Sequence, residues 1–352
     1  MSAASNTSIR LDEVVQAVRS SRGFAHKLDI CSAAETLAKA MPKGLNDLTL
    51  AERDGVLLGD DCAAIPDHDG HLLLAIEGLV EDFVSTMPWF AGYSAVMVNL
   101  SDIAAMGGRP IAVVDAIWSA GATQAHPILE GMAAASVAYG VPIVGGHSNY
   151  QAANGQLAVA VLGRAKALLS SFAAQDGDEL LMAVDLRGQW EGGAPFWNAS
   201  TRAPSSRLQG DLRLLPEIAE AGLCRAAKDI SMAGVLGTTL MLIECSRMCA
   251  RIDLSALPHP PGHGHADDPA QFLRWLLAFP SFSYLLSVPS KDVHEVCTRF
   301  AARDLTCARI GKIEAGSSLW LQRGGVEAAQ AMLWDWSAEP FIGGSRRQEA
   351  MA

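Results

Sequence analysis

The sequence contains none of the common short motifs for nucleotide or acyl chemistry. Its 352 residues include no Gly-x-x-x-x-Gly-Lys-Ser/Thr phosphate loop, no dinucleotide-binding glycine fingerprint and no nucleophile elbow. These absences argue against a P-loop NTPase, a typical dinucleotide-binding oxidoreductase and an α/β-hydrolase. Any phosphate site must therefore be built differently, for example from carboxylates that hold divalent cations.

Positive charge is also scarce. The chain has 27 Lys and Arg against 38 Asp and Glu, a formal net charge of -11, and no basic run. This balance argues against a nucleic-acid partner. An acidic protein that binds an anionic nucleotide needs metal ions, or a few local Lys and Arg, at the site of contact.

The seven cysteines include no Cys-x-x-Cys pair, and we find no uninterrupted apolar run of membrane-spanning length and no secretory signal at the N-terminus. We therefore expect reduced thiols, no membrane partner and a cytoplasmic protein. Half of the residues are hydrophobic, which is enough for a sizeable core.

Composition shifts near residues 165–175, and alternating strand and helix patterns occur on both sides of the shift. The expected class is α/β (α+β) with two domains. We place an N-terminal helical extension at 1–44, the domains at 45–168 and 172–325, and a C-terminal tail at 326–352.

Local patterns give the elements around these boundaries. Apolar spacing predicts helices at Leu11–Arg19 and Cys31–Ala40, and a buried helix at Ala91–Met106. Val56–Leu58 and Leu72–Ile76 are expected to be strands. Residues 187–210 and 258–269 are expected to be loops.

Carboxylates stand at the ends of two apolar runs. Asp60 and Asp61 follow a predicted strand, while Asn99 and Asp102 share one face of the predicted apolar helix. Charge at the edge of a core needs cations or hydrogen-bond donors. A phosphate- or metal-facing site explains the second pair better than a polar pair satisfied by backbone. Glu77 is a further ligand candidate, or a solvated strand end.

Weaker signals accompany these carboxylates. Gly145 and Gly146 allow backbone N–H groups to approach an anion, or form an ordinary turn. Arg164 can pair with a phosphate, or lie on the surface. Asp229 and Ser231 are helix N-cap candidates, and the same helix start can hold an anion or a metal.

One loop contains His259, His263 and His265. It has no fourth well-spaced ligand and is rich in Pro and Gly, so a surface loop is the favoured reading, with a zinc site as the weaker alternative.

In this order, the segments resemble the superfamily of aminoimidazole ribonucleotide (AIR) synthetase, thiamine-monophosphate kinase, selenophosphate synthetase and the hydrogenase maturation protein HypE. The run at 98–107 is similar almost letter for letter to the thiamine-monophosphate kinase version. The segment at 143–148 is similar to the family's Gly-Gly-Asp-Thr or Gly-Gly-His-Thr segment, and 229–231 to its Asp-Ile-Ser. The resemblance covers about residues 45–325, and an AIR synthase-related branch fits best.

The resemblance implies a two-domain AIR synthase-like fold, a homodimer whose N-terminal sheets pair, and ATP bound through Mg²⁺. It implies metal ligands at Asp60, Asp61, Asp102 and Asp229. By position, Gly146, Arg164 and Ser231 would lie near ATP. Asn99, Gly145 and His147 belong to the same segments, and Glu77 stands at a further metal-ligand position. Asp102 is also a candidate catalytic residue. Apart from the resemblance, Lys27 is a candidate catalytic phosphate contact, or a solvated lysine between two helices.

Departures from the kinase pattern leave two functions open. Where the kinases have three further Asp residues, this chain has Glu77, His147 and Met232. The leading hypothesis is ATP- and Mg²⁺-dependent phosphoryl transfer to an oxygen of a small molecule, by a kinase or a synthetase. The alternative is a non-catalytic nucleotide-binding or assembly subunit.

Overall fold

A computed structural model describes residues 9–40, 59–264, 268–324 and 329–343 of the chain. It has the mixed α/β two-domain architecture that was expected. The predicted strand at Val56–Leu58 lies outside the described residues. Among the helices within them, none combines the length and apolarity needed to cross a bilayer.

The first domain is built on one mixed sheet. Its five strands are β1 (Ala63–Asp67), β2 (Gly70–Leu79), β3 (Arg109–Trp118), β4 (Ile143–Asn149) and β5 (Gln156–Ala165), in the order β1-β2-β5-β3-β4. β1 pairs antiparallel with β2, so the hairpin partner of β2 is Ala63–Asp67. β3 and β4 are parallel.

Three helices belong to this domain: α3 (Glu81–Thr86), α4 (Pro88–Ala105) and α5 (Ala122–Tyr139). α4 begins at Pro88 rather than at the predicted Ala91, because proline fits the first position of a helix, where its missing N–H costs nothing. Nearly all of α4 is buried, which explains its continuous apolar sequence. It ends before Gly107, whose φ of +76° favours glycine.

The second domain contains a larger mixed sheet. Its seven strands are β6 (Glu179–Val184), β9 (Ala226–Asp229), β10 (Met248–Asp253), β12 (Ser283–Val288), β13 (Thr306–Ala315), β14 (Ser318–Gln322) and β15 (Gln330–Asp335), in the order β15-β14-β10-β13-β6-β12-β9. Its helices are α6 (Ser205–Leu212), α7 (Leu214–Glu220), α8 (Gly234–Ser246), α9 (Pro269–Leu276) and α10 (Val293–Ala301).

A small third sheet lies beside the interdomain cleft. It contains β7 (Gln189–Trp190), β8 (Phe196–Asn198) and β11 (Phe279–Pro280), with β8 in the centre. The segment 187–210 is therefore not the irregular loop that its Gly, Pro and Ser content suggested. Tertiary pairing with β11, about eighty residues away, orders it.

The N-terminal helices pack on the second domain. They are α1 (Leu11–Arg19) and α2 (Arg22–Ala40), so the second helix begins nine residues before the predicted Cys31. Phe24 is fully buried, with its ring centroid 4.5 Å from Phe341 and 5.4 Å from Trp334. These contacts hold α2 across the mouth of the cleft.

Much of the segment expected to be a C-terminal tail is built into the second domain. β15 pairs antiparallel with β14 at the edge of the sheet. Beyond it, the backbone N–H groups of Phe341, Ile342 and Gly343 donate to the fully buried carboxylate of Glu244 at 2.7–3.2 Å. Three N–H donors satisfy a charge that would otherwise be costly to bury.

One face of the five-stranded sheet carries exposed apolar side chains. The helices cover the other face, where Leu73 and Ala75 are buried. Large hydrophobic side chains with 38–69% of their surface exposed occur on all five strands: Ile65, Leu74, Ile76, Ile111, Val114, Val144 and Leu162. A contiguous apolar surface of this kind is unusual in a monomer.

Candidate functional site

A cleft of about 250 Å³ lies between the two domains. The first domain contributes β2 and α4, the second contributes the ends of β8, β9 and β11, and α2 crosses the mouth. One end of the cleft is lined by carboxylates and the other by aromatic and aliphatic side chains.

Three carboxylates meet at the polar end. Asp61 follows the turn at Gly59, Asp102 lies in the last turn of α4, and Asp229 ends β9. One oxygen from each lies within 4.8 Å of the others. Only 6% of the surface of Asp102 and of Asp229 is exposed. The fold thus brings three charges from separate parts of the chain into one largely buried cluster.

Lys228 is the cation nearest to this cluster. Its ammonium group forms an ion pair with Asp61, and 4% of its side chain is exposed. Burial alone would lower the pKa of Lys228, but Asp61 and Asp60 outweigh burial and raise it. Lys228 therefore stays charged and offsets one of the three carboxylates.

Burial and the remaining negative charge raise the pKa values of the three carboxyl groups. Burial raises the pKa of Asp61 to about 7, against the attraction of Lys228. Burial also raises the pKa of Asp229 to about 6. The pKa of Asp102 is raised well above its usual value, first by burial and then by Asp229 and Glu77. Without a further cation, these acids ionise only at the cost of mutual repulsion.

The donor set fits a hard divalent cation. Asp61 Oδ2 and Asp102 Oδ2 are buried and have no hydrogen-bond partner among the described residues. Clustered carboxylate oxygens are the ligands that Mg²⁺ takes in phosphate-transferring sites, usually together with substrate phosphates and water. Among the residues that the structure describes, Asp61, Asp102 and Asp229 are thus the group that would hold Mg²⁺.

These pKa shifts predict a pH dependence of stability in the absence of metal. An unfolded Asp titrates near 3.9, so between about pH 4 and pH 7 the folded protein binds more protons than the unfolded chain. Its free energy of unfolding must then fall as pH rises. Asp61 alone should lower the free energy of unfolding by roughly 2–3 kcal/mol between pH 5 and pH 8, as measured by urea unfolding in a chelator. The slope should flatten in Asp61→Asn; equal slopes in both proteins would contradict the shift.

Other predicted ligands surround the cluster. Asp60 lines the cleft, but its carboxylate accepts hydrogen bonds from Ser170 Oγ, Ser171 N and Ser171 Oγ at 2.6–2.9 Å. It therefore fixes the linker between the domains beside the cluster. Glu77 is at the solvent-accessible edge of the cleft, and its pKa is raised by desolvation. Asp60 and Glu77 lie outside the group of three.

Lys27 and Ser231 also line the cleft. Lys27 reaches it from α2, and its charge acts on both Glu77 and Asp229. Ser231 Oγ is buried and has no hydrogen-bond partner among the described residues. An ammonium group and a free hydroxyl beside three carboxylates are suitable donors for a phosphate chain.

The structure does not bring the other predicted contacts into the cleft lining. Gly145, Gly146 and His147 lie within β4 rather than in a turn after it, because this edge strand continues to Asn149 against β3. A Cβ at Gly146 would come within 2.3 Å of Asp115 Oδ1, which gives this glycine a packing role.

Two more residues serve local structure. Asn99 is fully buried, and its Nδ2 donates to the Ala95 carbonyl at 2.7 Å. Arg164 binds Asp69 at 2.6 Å and Asp67 at 3.3 Å near the β1–β2 turn. Their predicted nucleotide contacts therefore find no support in the cleft geometry.

The N-cap prediction for Asp229 and Ser231 is wrong. Asp229 ends a strand, and α8 begins at Gly234 with Ala233 as its N-cap. The pairing of β9 with β12 overrides the cap signal, and it directs Asp229 into the cluster.

Sequence reasoning missed Lys228 and the apolar half of the cleft. Lys228 stands beside Asp229, and only the strand pairing reveals that it is buried. The signal for the apolar half was weak, since its rings come from three distant parts of the chain: Phe83 and Phe90, Phe196, and Phe279.

The histidine loop is partly described and forms no metal cluster within the residues described. His263 accepts a hydrogen bond from Trp190 Nε1 at 2.7 Å, and His259 contacts the Pro260 carbonyl. The group of three Asp is the candidate metal site within the same residues. His265 lies outside them.

A two-domain protein with a carboxylate-lined cleft is the class that the fold and the site define. Residues 59–165 match the family described as AIR synthase related protein, N-terminal domain, and residues 186–322 match its C-terminal domain. An uncharacterized protein of Synechocystis is 43% identical over 95% of this chain and 98% of its own length. The chain belongs to the AIR synthase related family.

More distant relatives have named activities. A thiamine-monophosphate kinase of Pyrococcus abyssi is 27% identical over 79% of this chain and 90% of its own. A structure of the Thermotoga maritima protein PurL complexed with ATP superposes with a TM-score of 0.63 at 17% identity, over 79% of this chain. The match covers 46% of that protein, so this chain spans less than half of it. At this identity the superposition shows the fold alone.

Proposed function

We propose that this protein is an ATP- and Mg²⁺-dependent enzyme that transfers the γ-phosphoryl group of ATP to an oxygen of a small molecule. The observation that carries the proposal is the cluster of Asp61, Asp102 and Asp229 in the interdomain cleft, with two carboxylate oxygens left unpartnered. The names of the relatives support it, since a thiamine-monophosphate kinase and a selenide, water dikinase are among them.

Each residue of the polar end has a distinct task. Asp61, Asp102 and Asp229 hold Mg²⁺, which neutralises phosphate charge when it is bound. Lys228 favours the ionised form of Asp61 by pairing with it. Lys27, on α2, and Ser231, just after β9, donate to phosphate oxygens, and Asp60 keeps the linker between the domains in place. These groups act by positioning and electrostatics.

ATP titration of the full chain by calorimetry tests this proposal. We expect saturable binding in Mg²⁺ that a chelator weakens by at least about tenfold, because bare triphosphate is repelled by the acidic cluster. Binding of equal strength with and without Mg²⁺ would overturn the proposal.

Met232 favours a second candidate function, a nucleotide-binding subunit without catalysis. It lines the cleft at a position where the thiamine-monophosphate kinase pattern has a carboxylate. Incubation with ATP, Mg²⁺ and pooled small metabolites separates the two functions. Sustained release of ADP supports the enzyme, and tight ATP binding without any turnover supports the subunit.

We further propose that two copies pair through the exposed apolar face of the five-stranded sheet. Ile76 and Val144, exposed by 69% and 62%, lie on this face on strands β2 and β4. Light scattering should give twice the mass of one chain for the wild type and a single-chain mass for Ile76→Glu, because a charge in an apolar interface is costly. Val137→Glu, on the exposed surface of α5, is the matched control and should remain a dimer.

A further inference from the structure

We infer the chemical class of the acceptor: a molecule with a flat, uncharged ring and no phosphate group of its own, held at the apolar end of the cleft. The inference rests on the proposed phosphoryl transfer for its chemistry, and on the lining of the cleft for its substrate class.

The apolar end is a continuous aromatic wall. Ring centroids of Phe83 and Phe196 are 4.7 Å apart, those of Phe83 and Phe90 5.8 Å, and those of Phe196 and Phe279 6.5 Å. Phe83 and Phe90 are buried, while Phe196 and Phe279 keep part of their surface open. Partly exposed rings on a base of buried aromatic rings are suited to an offset or edge-to-face partner.

Both domains build this wall. Phe83 and Phe90 come from α3 and α4, whereas Phe196 and Phe279 are paired on neighbouring strands of the small sheet. The small sheet therefore has a defined role, which is to present two rings to the cleft. A ligand that fills this space contacts both domains at once.

The wall and the carboxylate cluster both include residues of α4. Phe90 stands twelve residues before Asp102, about 18 Å along the helix axis, and Ser94 and Val98 line the cleft between them. An acceptor whose ring lies on the wall must therefore extend along α4 for its oxygen to reach the site proposed for the γ-phosphoryl group.

The charge of the lining argues against a phosphorylated acceptor. The described residues around the cleft carry five carboxylates, and their only cations are Lys27 and Lys228. Lys228 is paired with Asp61, and no arginine takes part in this lining. Lys27 is assigned to the phosphates of ATP, so a phosphate on the acceptor would face aromatic rings and carboxylates without a further cation in this lining to bind it. This differs from the relative whose name specifies a monophosphate substrate.

Two matched probes test the inference: 2-naphthol and 2-naphthyl phosphate, titrated by calorimetry into the full chain without ATP or Mg²⁺. We expect one 2-naphthol per chain and at least about tenfold weaker binding of the phosphate ester. Phe196→Ala should weaken 2-naphthol binding by about tenfold, or about 1.4 kcal/mol, because it removes one of the two rings that the ligand contacts. Phe196→Leu should retain part of the binding, and Val137→Ala should retain all of it.

Several results would overturn the inference: no saturable 2-naphthol binding, equal or tighter binding of the ester, or equal binding by wild type and both Phe196 variants. Mg²⁺-dependent ATP binding is measured on the same samples as evidence of folding. Loss of the ring site with ATP binding intact refutes only the acceptor class. An intact ring site without Mg²⁺-dependent ATP binding refutes only the proposed phosphoryl transfer.

Discussion

Replacement of Asp102 by asparagine is expected to lower Mg²⁺-dependent ATP turnover by at least about 100-fold while raising the stability of the metal-free protein. Loss of outer partners of a metal site already costs 10–100-fold, and Asp102 belongs to the cluster itself. The gain in stability follows from its surroundings: the carboxylate is buried, faces Asp229 and has an oxygen without a partner. Removal of its charge relieves repulsion within the cluster.

The opposite signs distinguish this role from a structural one. A residue kept only for packing would lose activity and melting temperature together, whereas Asp102→Asn should melt higher in chelator and respond less to added Mg²⁺. Calorimetric melting with and without Mg²⁺, beside a coupled assay for ADP, measures both effects. Asp304→Asn is a suitable control, because Asp304 is 91% exposed and its φ of 55° suits asparagine equally well.

The sequence predicted those parts of the site that depend on local pattern. Asp61 and Asp102 end apolar runs, and a charge at such a position needs a cation or hydrogen-bond donors whatever the fold. The two-domain α/β class followed in the same way from repeated strand and helix periods. Glu77 and Ser231, which the family resemblance implied, line the cleft, and so does Lys27, which the sequence left as a phosphate contact or a solvated lysine. The ligand roles of all three stay predictions.

The parts that escaped prediction depend on long-range pairing. Gly145 and Gly146 have no side chains to mark a strand, so the extension of β4 through them is set by β3. The small sheet joins Phe196 to Phe279 across a large sequence gap, and its segment has the composition of a loop. Nothing in the sequence indicated a partner for the guanidinium of Arg164, but the fold places Asp67 and Asp69, near the β1–β2 turn, beside it.

Lys228 is the clearest case, since nothing in its local sequence marks it as buried.

The second large effect is expected from loss of this buried cation: Lys228→Met should reduce the free energy of unfolding by about 3–5 kcal/mol in metal-free buffer. Methionine matches the length and apolar stem of lysine, so the packing changes little. What is lost is the positive charge that pairs with Asp61, and Lys27, which acts on Asp229, is then left to balance three carboxylates.

The destabilisation should depend on pH and on a second substitution. Lys228 holds the pKa of Asp61 below the value that burial alone would set, so Lys228→Met raises that pKa further. The free energy of unfolding of the variant should therefore fall more steeply than that of the wild type as pH rises from 5 to 8. Asp61→Asn in the same chain removes the stranded charge, and the double variant should recover at least half of the loss. Urea unfolding of the four proteins, in chelator at pH 5 and pH 8, gives the coupling directly. Additive losses from the two substitutions would show that the ion pair does not balance the cluster, and that another cation compensates Asp61.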